Sequence, residues 1–401
     1  MAIVTHVLGA CPGCGTADSF GNVMLPHGKY LFRGCKRCRY SERVSLPGVK
    51  KKIAYLDQFV LSGAFRGGDK RLVDVMGRVT KLCSLQLLAA PYSSVHEDET
   101  HQWTGYGGMT NEQLMKFIKQ TARGNEFMAS FEVEAVQLIR GFRAFLAGEP
   151  SEYARQRDDV IHGNVDVWDD YFRIEVGRYM GDVGEIRDLK EKAVRMLVDT
   201  FDAWQASTTS FDEDVALEVN AAGSSYMQAY MQWVMRVGGG DLDALWNGSI
   251  VSTFVQRMLH CLPREMPPEG KLATCSSFFA SQHFALLPSQ WLSARMYATV
   301  KGMVRRGAYA NRDAAVSRMS GFFYDVKHIA TYAPYCDAFF MDQAMAEIVR
   351  RPGVDLEQRY GTRVFSFSNL DDLVAWLDSL EAEMTSEHKE GLMVAYPQSL
   401  A

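Results

Sequence analysis

Two sets of side chains in this sequence are of types and spacings that bind metal ions. Cysteines stand as "CPGCG" and "CKRC", placing Cys11 and Cys14 twenty residues ahead of Cys35 and Cys38. Two CxxC knuckles at that separation suit one structural Zn²⁺ held by four thiolates, and a redox-active pair would not explain two copies. The second set is carboxylic. "SSVHEDET" puts His96, Glu97, Asp98 and Glu99 in succession, Asp57 closes the apolar run "KKIAYL", and Asp342 closes "DAFFM". Asp325 precedes His328 by about one helical turn, so the two share a face. Carboxylates crowded together raise one another's pKa unless a divalent cation neutralises them, and hard oxygen ligands suit Mg²⁺ or Mn²⁺. Asp is also a favoured helix N-cap, and Asp57, Asp325 and Asp342 all lie near predicted element ends.

The elements that must position these groups follow from periodicity. Residues 1–45 form a zinc ribbon with a hairpin between the knuckles, folded largely by its metal because so short a chain lacks a core. "SLPGVKKK" is a linker. Ile53–Leu56 and "LQLLAAPYSS" are buried strands, the second running into a helix that begins at "SSVHEDET". Residues 106–309 are helical almost throughout, as in "NEQLMKFIKQTARGNEFMASFEVEAVQLIRGFRAFLAG" and "IRDLKEKAVRMLVDTFDAWQAS". "RVGGGD" within them follows no strand and is not a dinucleotide site. The tail alternates again: a helix from "NRDAAVSRM" to "YDVKHIATYA" ended by Pro334, strand "AFFM", helix "QAMAEIVRR", strand "TRVFSF", and a helix capped by Asn369. Alternation predicts an α/β fold with a parallel sheet, split by a large all-helical insertion. Ligands of such sheets gather beyond the carboxyl ends of the strands, where Asp57 and Asp342 fall.

Composition limits the partners. The chain has 401 residues, 47% hydrophobic and 23% charged, with a formal net charge of −5, so no whole-molecule field attracts a polyanion. Basic residues are local instead. Between Arg33 and Lys52 eight Arg or Lys stand against one Glu, including Arg33, Lys36, Arg37 and Arg39; a second strip holds Lys301, Arg305, Arg306 and Arg312. Each strip is either a solvated face or a contact for a phosphate backbone. No run approaches the roughly 20 apolar residues of a membrane helix, and the first residues do not have the form of a signal peptide, so a cytoplasmic protein with no membrane partner is expected.

In order and placement "IAYLDQ", "SSVHEDET", "YDVKHIATYAPYCDAFFMDQAM" and "RVFSFSNLDDLVAWL" resemble the successive blocks of PIN-domain nucleases, over residues 50–105 and 310–385. The resemblance implies a Mg²⁺- or Mn²⁺-dependent endonuclease, RNA more often than DNA, with strand order 3-2-1-4-5. It carries over Asp57, Glu99, Asp325 and Asp342 as metal-holding acids. Asp337 matches a further aspartate that orients the strand or binds metal through water. His96 and His328 match positions that contact phosphate or hold a carboxylate, although a histidine at a helix start equally packs or caps. The helical block departs from the pattern. It could be a substrate clamp, a dimerisation or protein-partner surface, or a regulatory lid, and its aromatics fit helix core better than a base-stacking platform.

The sequence therefore predicts a zinc-ribbon, PIN-like endonuclease, by analogy a toxin or antiviral defence effector. The alternative is a catalytically silent nucleic-acid-binding adaptor that reads its partner through the ribbon. A third possibility, protein assembly without nucleic acid, predicts no basic strips. Within "SSVHEDET", Ser94 and Glu97 have capping-box spacing and Asp98 suits a first helical turn, which leaves Glu99 as the ligand.

Overall fold

A computed structural model describes residues 3–23, 29–169, 200–245, 248–308 and 321–397. Strands β1 (Val4–Gly9), β2 (Phe20–Val23), β3 (Tyr30–Cys35) and β4 (Ser41–Ser45) form an antiparallel meander in that order. Its tight pairing depends on Gly21: a Cβ there would lie 1.9 Å from the His6 carbonyl oxygen, so any larger residue would push β1 off β2. Among its described residues, Cys11, Phe20 and Cys35 form its own core.

The second sheet is parallel, in the order β6-β5-β7-β8, built from β5 (Lys52–Leu56), β6 (Leu88–Ala89), β7 (Ala338–Phe340) and β8 (Arg363–Phe365). Helices α1 (Gln58–Arg66), α2 (Lys70–Ser84), α3 (Ser94–Gln102) and α4 (Asn111–Thr121) follow β5 and β6. The helical block continues with α5 (Ser130–Ala147), α6 (Phe211–Gly238), α7 (Ile250–His260), α8 (Pro268–Phe279) and α9 (Pro288–Arg305). Then come α10 (Phe322–Tyr332), α11 (Gln343–Val349) between β7 and β8, α12 (Leu370–Ala382) and α13 (Ser386–Ala395).

Alternation along each strand divides the core into layers. Ile53, Tyr55, Phe339 and Val364 face Met296, Val300, Val326 and Ile348 on α9, α10 and α11. Ala54, Leu56, Phe340 and Phe365 face Val60, Val79, Leu114 and Leu377 on α1, α2, α4 and α12. The helical block is thus not one body apart from the sheet. Its first and last helices, α4 and α9, cover opposite sheet faces, and a separate core of Phe142, Tyr226, Phe254 and Phe278 lies among α5 to α8.

The five-stranded order 3-2-1-4-5 is not met strand for strand. Where an outer strand would lie beside β6, Tyr92 makes a single parallel bridge to Glu126, and Phe127 bridges in turn to Ile161. The segment expected as a linker is packed: Leu46 and Val49 are buried with Leu31, Leu85, Trp168 and Leu392, and Lys51 is buried against Asp169 at 3.0 Å. This cluster docks the ribbon onto α13, whose Gly391 lets Trp168 approach to where a Cβ would be 2.4 Å away. Buried Asn22 of β2 donates to the carbonyls of Val394 (2.9 Å) and Ala395 (3.2 Å). The expected helical stretches 186–199 and 311–319 lie outside the described residues.

Candidate metal centre and carboxylate edge

The cysteine ligand atoms are brought together by two turns. Cys11 and Cys14 follow β1; Cys35 ends β3 and Cys38 follows it, so the meander folds both knuckles onto one corner. All four sulfurs lie within 4.8 Å of one another, with Cys11 Sγ 3.7 Å from Cys38 Sγ and Cys14 Sγ 3.8 Å from Cys35 Sγ. A tetrahedron with Zn–S bonds of 2.3 Å has edges of about 3.8 Å, so the thiols already have the separations of a closed zinc site. Backbone N–H groups of Gly13, Arg37, Cys38 and Tyr40 donate to these sulfurs at 3.2–3.4 Å, which favours thiolate. The Ser19 hydroxyl and the Arg37 and Cys38 N–H groups pull the Cys35 thiol down to about 6. The cluster could therefore bind zinc. Of the other thiols, Cys83, Cys275 and Cys336 are buried and Cys261 is partly exposed.

The acids gather at the opposite kind of place, the carboxyl edge of the parallel sheet. Asp57 leaves β5 and caps α1, accepting from Phe59 N at 3.1 Å; Asp342 leaves β7 and caps α11, accepting from Met345 N at 2.9 Å. Each uses Oδ1 for its cap, so capping leaves the second oxygen available for another ligand. Glu99 comes from α3 and Asp325 from the first turn of α10. Burial and then the charge of Glu99, with smaller contributions from Asp325 and Asp342, push the Asp57 carboxyl well above the usual range. The charges of three carboxylates from three other segments thus reach Asp57. They are not drawn as close as the thiols: among the described residues, the cysteines are the one group of three or more such side chains whose ligand atoms all lie within 4.8 Å.

His96 turns out to be part of the scaffold. The capping box lies one residue earlier than its sequence spacing suggests, because Ser93 is the N-cap of α3 and His96, not Glu97, is its third helical residue. The Ser93 N–H donates to His96 Nδ1 (2.9 Å), which leaves Nε2 as the donor to the Leu56 carbonyl (2.8 Å). This neutral ring ties α3 to the end of β5, next to Asp57, and stacks on Tyr55 at 5.0 Å. Gln58 Nε2 reinforces the tie by donating to buried Thr100 Oγ1 (2.8 Å). Glu97 instead pairs with Lys119 at 3.2 Å. Burial holds the His96 pKa down to about 4, against 6.5 for the free side chain. A folded pKa below the unfolded one means that the unfolded chain binds the proton more readily, so this stability is complete above pH 6.5 and is lost as pH falls toward 4. Denaturation measured across that window should show about 3 kcal/mol of acid destabilisation from this ring. His96→Gln should flatten the slope; an unchanged slope would reject the assignment.

The remaining predicted residues divide. Asp337 is corrected: it precedes β7, at the amino edge of the sheet, and its carboxylate accepts from Ile53 N (2.9 Å) and Lys52 Nζ (2.8 Å). It therefore pins β5 to β7 at the end away from Asp57 and Asp342. Lys301 and Arg305 are also corrected, because they point inward to Glu218 (2.6 Å) and Asp214 (2.6 Å) on α6 and hold α9 against it. Arg33 is half-buried against Glu42 and Asn22, Lys36 is half-buried, and Arg37, Arg39 and Arg306 are exposed. His328 is half-buried one turn beyond Asp325. Arg312 lies outside the described residues.

Other residues were not singled out by spacing. Phe367, just past β8 and 40% exposed, lies 5.4 Å from the Phe59 ring beside Asp57, with the Arg71 guanidinium 5.7 Å over it. On the ribbon, Tyr30 and Phe32 alternate on one exposed face of β3, and Arg43, cross-strand from Phe32, lies 4.4 Å over Tyr30. The signal for the second group was the alternating "YLFR" facing "SERVS" across the hairpin. No protein-family profile, curated protein or solved structure matches the chain. Among the described residues no helix is long and apolar enough to cross a membrane.

Proposed function

We propose that the chain is a divalent-cation-dependent endonuclease of the PIN-like kind, with RNA favoured over DNA on the resemblance of its motifs. One observation carries this: Asp57, Glu99, Asp325 and Asp342 converge at the carboxyl edge of a parallel sheet, closely enough that three of them oppose ionisation of the fourth. Such crowding is unfavourable in the bare protein and fits a site made for a cation. Mg²⁺ or Mn²⁺ held there by the four acids would supply Lewis acidity toward water and phosphodiester.

The protein's own part is positioning. The two caps fix Asp57 and Asp342 at their strand ends, and His96 fixes the chain just before Asp57. Phe367 with Arg71 offers a ring and a cation beside the edge. The ribbon's Tyr30, Phe32 and Arg43, with exposed Arg37 and Arg39, offer a face on which bases stack and phosphates pair. That face also suits the second reading, an adaptor that binds without cutting. Labelled single-stranded RNA and DNA should be cleaved with Mn²⁺ or Mg²⁺ and not with EDTA, and Asp342→Asn should remove cleavage while binding persists. Binding without cleavage under every metal tried would decide for the adaptor, and cleavage indifferent to EDTA would reject both the cation and the site.

A further inference from the structure

A cleft of about 650 Å³ lies between α5 and α7, far in sequence from the acids and from the ribbon. Its apolar wall is Ala135, Val136 and Ile139, and the other lining groups are Arg140, Arg143, Arg257, His260 and Cys261. Among the described residues no acid lines it, in a chain whose net charge is −5. Arg140 is neutralised by Asp159, with its second nitrogen on the Ala154 carbonyl at 2.9 Å. Arg143 and Arg257 are exposed and, like His260, have no carboxylate partner among the described residues.

We propose that this cleft binds a nucleoside phosphate, with its base on the apolar wall and its phosphate between Arg143, Arg257 and His260. Two unneutralised guanidiniums facing one cavity suit an anion with more than one charged oxygen, which their planar forks bind in bidentate fashion. Guanidinium planes also stack on flat heterocycles, so the same arginines accommodate base and phosphate together. An alkyl carboxylate would use the apolar wall but leave much of the cationic side unmatched. The site does not depend on the nuclease reading, since it shares no residue with the carboxylate edge. The nucleotide could be free or belong to a strand, and the chemistry is the same.

Cys261 supplies the readout. It is partly exposed and lines the cleft, whereas Cys83, Cys275 and Cys336 are buried and Cys11, Cys14, Cys35 and Cys38 belong to the metal cluster. In the zinc-loaded full chain, the labelling rate of Cys261 by N-ethylmaleimide is measured by mass spectrometry with AMP, ADP, a deoxythymidine oligonucleotide, adenosine, inorganic phosphate or oleate. AMP or ADP at ten times its Kd should slow labelling about tenfold. Adenosine and phosphate should each protect far less. Arg143→Ala combined with Arg257→Ala should abolish protection, measured against the variant's own ligand-free rate, while an unchanged melting temperature shows that the fold is kept. Protection by the oligonucleotide alone would identify the nucleotide as part of a strand. Protection by oleate or by phosphate alone, no protection by either nucleotide form, or protection that survives the double substitution would overturn the proposal.

Discussion

Asp57→Asn is expected to abolish cleavage and, in the metal-free protein, to raise the melting temperature by a few degrees. Asparagine keeps an oxygen for the Phe59 N–H, so the cap on α1 survives, while the charge opposed by burial and by Glu99, Asp325 and Asp342 is gone. The sign follows from linkage. A carboxyl whose folded pKa exceeds its unfolded value stabilises the fold at low pH, and that contribution is lost as pH rises toward the folded value. At neutral pH the stabilisation that Asp57 gives at low pH is therefore diminished, and the substitution removes that dependence. Cleavage should drop by at least about 100-fold, since even groups that only orient metal ligands are worth 10–100-fold. Saturating Mn²⁺ should stabilise the natural protein more than the variant. Below pH 6.5 the two buried groups oppose one another, so with Asp57 removed the acid destabilisation from His96 should stand out more steeply. A variant that cleaves normally, or that melts lower in EDTA, would remove the acids from the role proposed for them.

Removing the metal from the cysteine cluster should unfold the ribbon and leave the parallel sheet intact. Among the described residues the ribbon's own core is three residues, so a structural zinc, whose binding contributes on the order of 10 kcal/mol in small domains, should dominate its folding. About one zinc per chain should be found, and Cys35→Ser should release it. Hydrogen exchange gives the local test. The amides of Gly13, Arg37, Cys38 and Tyr40 point at sulfur and should lose protection, while that of Ile53, held by the Asp337 carboxylate, and that of Phe340, within the parallel sheet, should not. Because Leu31 and Leu46 pack on α13 through Trp168 and Leu392, a weaker loss of protection should reach α13. Ribbon amides that stay protected in metal-free protein would contradict a metal-held fold.

What could be read from the chain and what could not differ in range. The knuckles, the strand ends bearing Asp57 and Asp342, and the tail's alternating pattern are local signals, and the charges of Glu99, Asp325 and Asp342 each act on Asp57. For Asp57 and Asp342 the capping and ligand readings were set against each other, yet the geometry makes them compatible, since capping occupies one oxygen of two. His96 stood open between contacting phosphate and packing or capping because the serine pair at 93 and 94 permits two registers, and its bonds to Ser93 N and the buried Leu56 carbonyl favour the second. Lys301 and Arg305 looked like a phosphate strip because their partners, Asp214 and Glu218, lie far away in sequence on another helix. Asp337 was misplaced for a simpler reason. It adjoins the same strand as Asp342, but strand direction sends the two to opposite edges.

The centre of the parallel sheet joins residues 284 positions apart, Ile53 and Asp337, and Asn22 of the ribbon reaches forward to Ala395. A ribosome delivers β5 long before β7, so during synthesis the strand that carries Asp57 waits with its main-chain groups unpaired on one side. The helical block must be made in that interval, and its own core among α5 to α8 can close before β7 exists, since none of its members comes from the sheet. The carboxylate edge is therefore assembled last, when β7 slots in beside β5 and brings Asp342 to Asp57. A chain still emerging carries its metal knuckles early but no cluster of acids, so any cutting activity is withheld until synthesis has passed β7.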